Sequence, residues 1–109
     1  MTIKYTVKWK KTNFSDIIDV RSPAEFKEDH ISGSINLPVL NNKQRVDIGK
    51  IYKKESPFKA KKIGASLVSN NISKHLKKVL INKPGNWKPL IYCWRGGQRS
   101  KAFATVLSE

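Results

Sequence analysis

Two short apolar runs that each lead into a helix constrain the fold of this chain more than any other feature. The first run (16–20, DIIDV) is followed at once by the capping sequence SPAE (22–25) and a helix predicted over about 23–29. The second run forms a strand predicted over 89–92, and a glycine-bearing loop joins it to a helix predicted over 101–107. Repeated strand-to-helix units predict an α/β fold with a mainly parallel sheet and flanking helices.

The remaining predicted elements fit the same architecture. Alternation predicts a strand over 3–9, and a second short strand lies around 35–37, between Gly33 and Pro38. One weakly patterned helix is predicted over 42–54. Another begins at Ser56-Pro57, and its outer face is rich in lysine. The apolar stripe of that long helix consists of Ile63, Leu67, Val68, Ile72, Leu76, Val79 and Leu80.

Composition limits the organisation of the protein. No repeat or linker divides the 109 residues, so we predict one small domain over 1–109. No apolar run approaches a membrane span, and the N-terminus has no secretory signal. A single cysteine excludes an internal disulfide, so we expect a cytoplasmic location. Neither a Cys/His cluster nor a phosphate-binding loop motif is present, so no metal or bound cofactor is predicted.

The charge balance favours a polyanionic partner. The chain has 22 basic residues against 8 acidic ones, which gives a net charge of +14. Nucleic acid is the partner that such a balance favours. Most of the basic residues are lysine, however, and AT-rich coding would produce the same skew without selection for binding. Charge alone therefore leaves both interpretations open.

The cysteine loop YCWRGGQRS (92–100) is the strongest functional signal. Cys93 follows a buried strand, where ligands of parallel sheets bind. If the backbone curls, as its glycines permit, inward N–H groups and the next helix would favour a thiolate and hold a tetrahedral oxyanion. The residues predicted to bind such a donor anion are Trp94, Arg95, Gly96, Gly97, Gln98, Arg99 and Ser100.

Several residues near this loop allow more than one interpretation. A lone cysteine often only fills space at a strand end, although packing alone does not call for the flanking glycines and arginines. Trp94 could wall the pocket, stack on a base or pack beneath the loop, and Arg95 could point to the donor or to an RNA phosphate. With no second cysteine, any sulfur or selenium carried on Cys93 must leave to an external acceptor.

Four other polar residues are predicted to have structural or surface positions rather than catalytic roles. Asp19 and Arg21 follow the first strand, near the predicted mouth of the site. We expect Arg21 to pair with an acid such as Glu25, and Asp19 to accept bonds from loop N–H groups. His30 is predicted to bridge backbone groups after a helix end, and His75 to lie on the surface of the long helix.

Two stretches, 19–38 and 92–100, resemble the rhodanese domain. The first is similar to the N-terminal signature of that family, with serines at 32 and 34 where Pro and Ala are usual. The second is similar to its catalytic loop, which implies that Cys93 carries the transferred sulfur. The positions that match the N-terminal signature are Phe26, His30, Ile31, Gly33 and Asn36.

The strings IYCWRGG (91–97) and GKIYKKESPFKAKKIGA (49–65) narrow the resemblance to the rhodanese domains of the tRNA 2-selenouridine synthase family. This family implies replacement of sulfur by selenium in wobble 2-thiouridine of tRNA, through a chalcogen bound to Cys93. Selenophosphate is then the donor, and geranyl diphosphate a co-substrate. The densest basic run becomes the candidate tRNA surface, with a plain solvated face as the alternative. It consists of Lys50, Lys53, Lys54, Lys59, Lys61 and Lys62.

The resemblance also implies a missing part. The family carries a C-terminal phosphate-loop domain, and the last strand and helix of the rhodanese fold would follow Glu109. We therefore expect a fragment or one half of a split enzyme, dependent on that domain or on a partner chain. The alternatives are a generic sulfurtransferase, a rhodanese-fold phosphatase that uses a C-x5-R loop from Cys93 to Arg99, and a non-catalytic module that binds RNA or a protein.

Overall fold

A computed structural model describes residues 10–93 and 98–108 of the protein, so the strand predicted over 3–9 lies outside the described residues. Within this part of the chain, three parallel strands form one sheet. Strand β1 (Asp16–Asp19) lies in the centre, between β2 (Ile35–Asn36) and β3 (Pro89–Tyr92). The predicted α/β architecture with a parallel sheet is confirmed.

Four α-helices and two short 3₁₀ turns accompany the sheet in the described residues. The 3₁₀ turns are Lys11–Asn13 and Leu80–Asn82. The helices are α1 (Pro23–Glu28), α2 (Asn42–Lys54), α3 (Pro57–Lys78) and α4 (Gln98–Ser108). The predicted starts of the second and third helices are confirmed, whereas the first helix ends one residue earlier than predicted.

Local capping explains where these helices begin. The carboxylate of Glu25 accepts bonds from the backbone N–H and the hydroxyl of Ser22, at 3.2 and 2.8 Å. The amide oxygen of Asn41 accepts from Gln44 N–H at 2.8 Å, and Gln44 reciprocates at 3.0 Å. The hydroxyl of Ser56 accepts from the N–H of Lys59. Apart from the Ser22 hydroxyl, each donor in these contacts is an N–H group that has no partner within its own helix.

The sheet register gathers polar residues at one edge. Asp19 at the end of β1 lies opposite Asn36 of β2 and Tyr92 of β3. Because all three strands are parallel, their carboxyl ends share that edge. Cys93 follows Tyr92 directly, so the strand order places its sulfur at the ligand-binding edge of the sheet.

The hydrophobic core joins the sheet to α3 and α4. Ile72 of α3 is 1% exposed, and Phe103 of α4 is fully buried. Both pack against residues that follow β1 and β2 along the chain. The buried members of this core are Ile18, Val20, Leu37, Val39, Ile72, Leu80 and Phe103.

The predicted apolar stripe of α3 is wrong at its N-terminal end. Ile63 is exposed, whereas Ala60 and Gly64 are buried. A Cβ at Gly64 would lie 3.9 Å from the side chain of Ile48 in α2. The two helices pack closely through these small residues, which lie four positions apart on one face. Ile63 is adjacent to that face and points away from it.

Two other predictions also need correction. Helix α4 begins at Gln98 rather than at 101, so Arg99 and Ser100 belong to its first turn and not to the loop. His75 is half-buried rather than a surface residue, and its Nε2 lies 2.7 Å from the carbonyl oxygen of Pro38. It follows Ile72 by three residues, which places it beside the core-facing stripe.

A pair of phenylalanine variants tests this core. Phe103→Ala removes a fully buried ring and should lower the free energy of unfolding by about 3–5 kcal/mol. Phe58→Ala removes a ring that is 70% exposed, and its cost should stay within about 0.5 kcal/mol. Urea unfolding of both variants measures the difference. Equal losses would contradict the assignment of Phe103 to the core.

Candidate active site

The sulfur of Cys93 lies against the first turn of α4. It accepts a hydrogen bond from the backbone N–H of Ser100 at 3.4 Å, and it lies 3.3 Å from the Ser100 hydroxyl. This N–H is among the first four of the helix, which lack acceptors within the helix itself. The sulfur therefore caps α4, which explains why the helix begins before its predicted start.

Cys93 also contacts the protein interior. Its side chain is partly buried and packs against the core. The packing role and the nucleophilic role considered for it are therefore compatible. Of the residues predicted to hold a donor anion, Trp94, Arg95, Gly96 and Gly97 lie outside the described residues. Gln98 is the first residue of α4.

A fully buried ion pair supports the carboxyl edge of the sheet. The guanidinium of Arg21 donates to both carboxylate oxygens of Asp19, with its shortest contact at 2.8 Å. Arg21 thus pairs with an acid, as predicted, but that acid is Asp19 and not Glu25. Asp19 also accepts from the backbone N–H of Arg21 at 2.9 Å and from the Tyr92 hydroxyl at 2.8 Å. It thus joins the end of β1 to the residue immediately before Cys93.

Residues that match the rhodanese signature form hydrogen bonds around the Asp19–Arg21 pair. The Tyr92 hydroxyl accepts from Ile31 N–H at 3.1 Å, and Asn36 donates to the carbonyl oxygens of Asp19 and Arg21. His30 stacks on the ring of Phe26 with centroids 3.7 Å apart.

The signature residues His30 and Gly33 also act on the backbone. The Nδ1 atom of His30 lies 2.7 Å from the carbonyl oxygen of Phe26, so the predicted backbone contact of this histidine is present. Gly33 has φ +84°, a conformation that favours glycine, and it makes the predicted turn.

A second ion pair connects α1 to α4. The two terminal nitrogens of Arg99 lie 2.7 and 3.3 Å from the two carboxylate oxygens of Glu25. Arg45 of α2 approaches the same carboxylate at 3.7 Å. The Arg99 side chain is only 12% exposed, so this pair has limited access to solvent. Arg99, predicted to bind the donor anion, is therefore held by Glu25 in this structure.

The environment of Glu25 favours its ionised form. Partial burial raises the pKa of this carboxyl, but the hydrogen bonds from Arg99 and Ser22 and the charge of Arg99 outweigh it. The result lowers the pKa of Glu25 from its ordinary value of 4.5 to about 2. Glu25 is consequently a stable anion near neutrality. It acts as a support for Arg99 rather than as a general acid.

A cavity of about 520 Å³ opens beside this ion pair. Lys50, Lys53 and Lys54 of α2 line it together with Arg99. The other half of the predicted basic run lies on α3 and does not line the cavity. There Lys59 pairs with Glu55 at 2.7 Å, and the Nζ of Lys62 lies 5.1 Å from the centre of the Phe58 ring. The structure thus divides a run that the sequence presents as continuous.

Sequence reasoning missed three contributors to this region. Arg45 lines the cavity from a helix whose apolar pattern is weak. Tyr92 was considered only as the residue before the cysteine, although its hydroxyl joins Asp19 to Ile31. The pairing of Glu25 with Arg99 spans 74 positions in the chain, and no local pattern signals it.

Comparison with known proteins agrees with the fold. The model of the rhodanese-like domain matches residues 2–109, and the chain belongs to that family. Similar curated proteins are named tRNA 2-selenouridine synthase. One from Bdellovibrio bacteriovorus is 35% identical over 101 residues, which cover 85% of this chain and 25% of that protein. One from Nitrosomonas europaea is 36% identical over 86 residues, or 78% of this chain and 22% of that protein.

A solved structure is also similar. It is the N-terminal domain of a protein from Clostridium difficile 630 that is named for a proposed ATP/GTP-binding role. The TM-score is 0.67 at 32% sequence identity, and the match covers 84% of this chain and 71% of that one. The protein thus spans about a quarter of the curated relatives and most of this single-domain structure.

None of the helices in residues 10–93 and 98–108 is both long enough and apolar enough to cross a membrane.

The low pKa of Glu25 predicts a pH-dependent contribution to stability. Since the folded value, about 2, lies below the ordinary 4.5, the contribution is present above pH 4.5 and is lost as pH falls towards 2. Allowing for solvent screening, we expect on the order of 1–2 kcal/mol. The variant Glu25→Gln should lose this amount at pH 7 and should show a smaller decline in unfolding free energy between pH 4.5 and 2.

Glu55→Gln is the matched control. Its ion pair with Lys59 has the same 2.7 Å length but is exposed on both sides. Its loss should cost at most about 0.5 kcal/mol. Similar pH profiles for Glu25→Gln and the unmodified protein would contradict the support assigned to Glu25.

Proposed function

We propose that the protein is the sulfur- or selenium-carrying domain of a tRNA 2-selenouridine synthase, with Cys93 as the residue that binds the transferred atom. The proposed overall reaction replaces sulfur by selenium in wobble 2-thiouridine of tRNA. The contact between the Cys93 sulfur and the first turn of α4 carries this proposal. The names of the similar curated proteins support the assignment of the substrate.

The chemistry begins with an ionised Cys93. With a thiosulfate-type donor, the thiolate attacks the outer sulfur and a new S–S bond forms. The original S–S bond breaks, and sulfite leaves with its electron pair. Ser100 would stabilise the anionic sulfur before attack through its N–H and hydroxyl groups. The persulfide that results must pass its outer atom to an external acceptor, because the chain has one cysteine.

The donor's oxyanion would occupy the loop between Cys93 and α4. Trp94, Arg95, Gly96, Gly97 and Gln98 are the proposed contacts, with Ser100 as a further donor. Selenophosphate presents the same tetrahedral oxygen arrangement as phosphate, so the same loop would hold it. Arg99 would contribute its charge from the first turn of α4 while Glu25 fixes its position.

Sulfur loading tests the role of Cys93. Incubation with thiosulfate should add one sulfur atom to the protein, and the adduct should locate to Cys93 in a peptide digest. Cys93→Ser should gain none, because its hydroxyl does not form a persulfide. Intact-protein mass spectrometry before and after reduction measures the adduct. An unmodified protein after incubation with excess thiosulfate, in its folded state, would refute the carrier role.

The overall reaction needs the longer protein. In the Bdellovibrio relative, this chain can replace the matching 101 residues to give a chimera. We expect the chimera to convert thiolated tRNA when selenophosphate and geranyl diphosphate are supplied, and the chimera with Cys93→Ser to be inactive. The isolated chain should not complete the conversion. Selenouridine, detected by mass spectrometry of the digested tRNA, is the readout. Full conversion by the isolated chain, or an active serine chimera, would contradict the proposal.

A further inference from the structure

The cavity where α1, α2 and α4 meet has the properties of an RNA-backbone site. We propose that this basic groove, lined by Arg45, Lys50, Lys53, Lys54 and Arg99, binds phosphates of an RNA strand beside Cys93. The inference builds on the proposed tRNA substrate and assigns the surface that would hold it. It also separates the α2 lysines from the α3 lysines, which the sequence presents as one run.

The groove has an excess of positive charge that no carboxylate balances. Five cationic side chains line it, against two carboxylates, Glu25 and Glu28. Glu25 is already paired with Arg99 at 2.7 Å. Among the residues that the structure describes, no ion pair involves Lys50, Lys53 or Lys54. Their charges are therefore available to an external anion.

The spacing of the lysines suits a chain of phosphates. Lys50, Lys53 and Lys54 are three and four positions apart on α2, so they lie on one face of the helix. Arg99 lies at the other side of the groove and directly precedes Ser100, which contacts the Cys93 sulfur. The groove and the Cys93 contact therefore share the first turn of α4, although Cys93 itself does not line the cavity.

Gly49 leaves room for close approach. This glycine lies inside α2, where glycine is less favourable than alanine. Packing does not require it, because a Cβ at this position would meet no atom within 4 Å. Its missing side chain adds to the space of the groove. A ligand with a bulky backbone could therefore come near the helix axis at this point.

Two charge-matched triple variants test the site. Lys50→Gln/Lys53→Gln/Lys54→Gln removes three charges from the groove, and Lys59→Gln/Lys61→Gln/Lys62→Gln removes three from α3. Fluorescence anisotropy with a labelled RNA hairpin of anticodon stem–loop size measures the Kd over a range of KCl concentrations. The α2 triple variant should raise the Kd by roughly tenfold or more. It should also lower the magnitude of the slope of log Kd against log[KCl] by about 2 to 3. The α3 triple should change the Kd less than about threefold, because its lysines do not line the groove.

A steric variant gives a readout independent of charge. Gly49→Leu replaces a poor helix former with a good one, so the melting temperature should not fall. Its side chain would fill the groove, and RNA binding should weaken by about fivefold or more at constant net charge. Thermal melting of every variant confirms that it is folded before RNA is added.

Specific outcomes would overturn the inference. Equal weakening by the two triples would show a general charge effect, and tight binding by both would place the RNA elsewhere. Displacement of the hairpin by geranyl diphosphate at concentrations where inorganic diphosphate does not compete would indicate a prenyl site. The binding measurement involves no reaction at Cys93. A failure of sulfur loading and a failure of this surface are therefore distinguishable.

Discussion

The buried pair of Asp19 and Arg21 is the interaction on which the geometry of the site depends. Both side chains are almost completely excluded from solvent, so each charge needs the other. Removal of one partner from a buried pair typically costs about 3–5 kcal/mol, since the remaining charge is left uncompensated. Here the pair also specifies structure, because Asp19 accepts from Tyr92 at the end of β3. The strand that delivers Cys93 is thereby fixed to the central strand.

The second ion pair, between Glu25 and Arg99, connects helices rather than strands. Glu25 and Arg99 join α1 to the first turn of α4, and that turn supplies the donor to the Cys93 sulfur. Because Ser22 also donates to Glu25, the cap of α1 and the position of α4 depend on one carboxylate. The fold thus uses a residue that starts a helix to orient the environment of Cys93. One carboxylate therefore serves both purposes in a chain that has only 8 acidic residues.

The basic residues of the site extend from the neighbourhood of Cys93 towards α2. The sulfur lies at the carboxyl edge of the sheet, Arg99 lies in the neighbouring first turn, and the α2 lysines continue from there along one cavity. A donor anion at Cys93 and a polyanionic acceptor in the groove would therefore be neighbours rather than competitors for one pocket. That arrangement is what transfer between a small donor and a large nucleic acid requires. The rhodanese-like fold provides the carboxyl edge of the sheet, and α2 provides the lysine-lined surface of the groove.

The amino-acid sequence by itself determined the three described strands, the starts of α1, α2 and α3, and the position of Cys93 at a strand end. These features are local: the apolar run 16–20, the Ser22 and Ser56 caps and the turn at Gly33 act over a few residues. The basic run was equally visible as a run. Its division into a groove-lining half and an outer half was not, because that depends on how α2 packs against its neighbours.

Only the tertiary structure decided which charges pair. Arg21 pairs with Asp19 instead of Glu25, and Glu25 pairs with Arg99 from 74 positions away, because folding brings α4 beside α1. The packing of α2 on α3 likewise buries Ala60 and Gly64, while Ile63, which the sequence pattern placed on the apolar stripe, is exposed. Patterns with a period of a few residues report which face is buried. They contain no information about which distant element covers that face, and that is where the site is assembled.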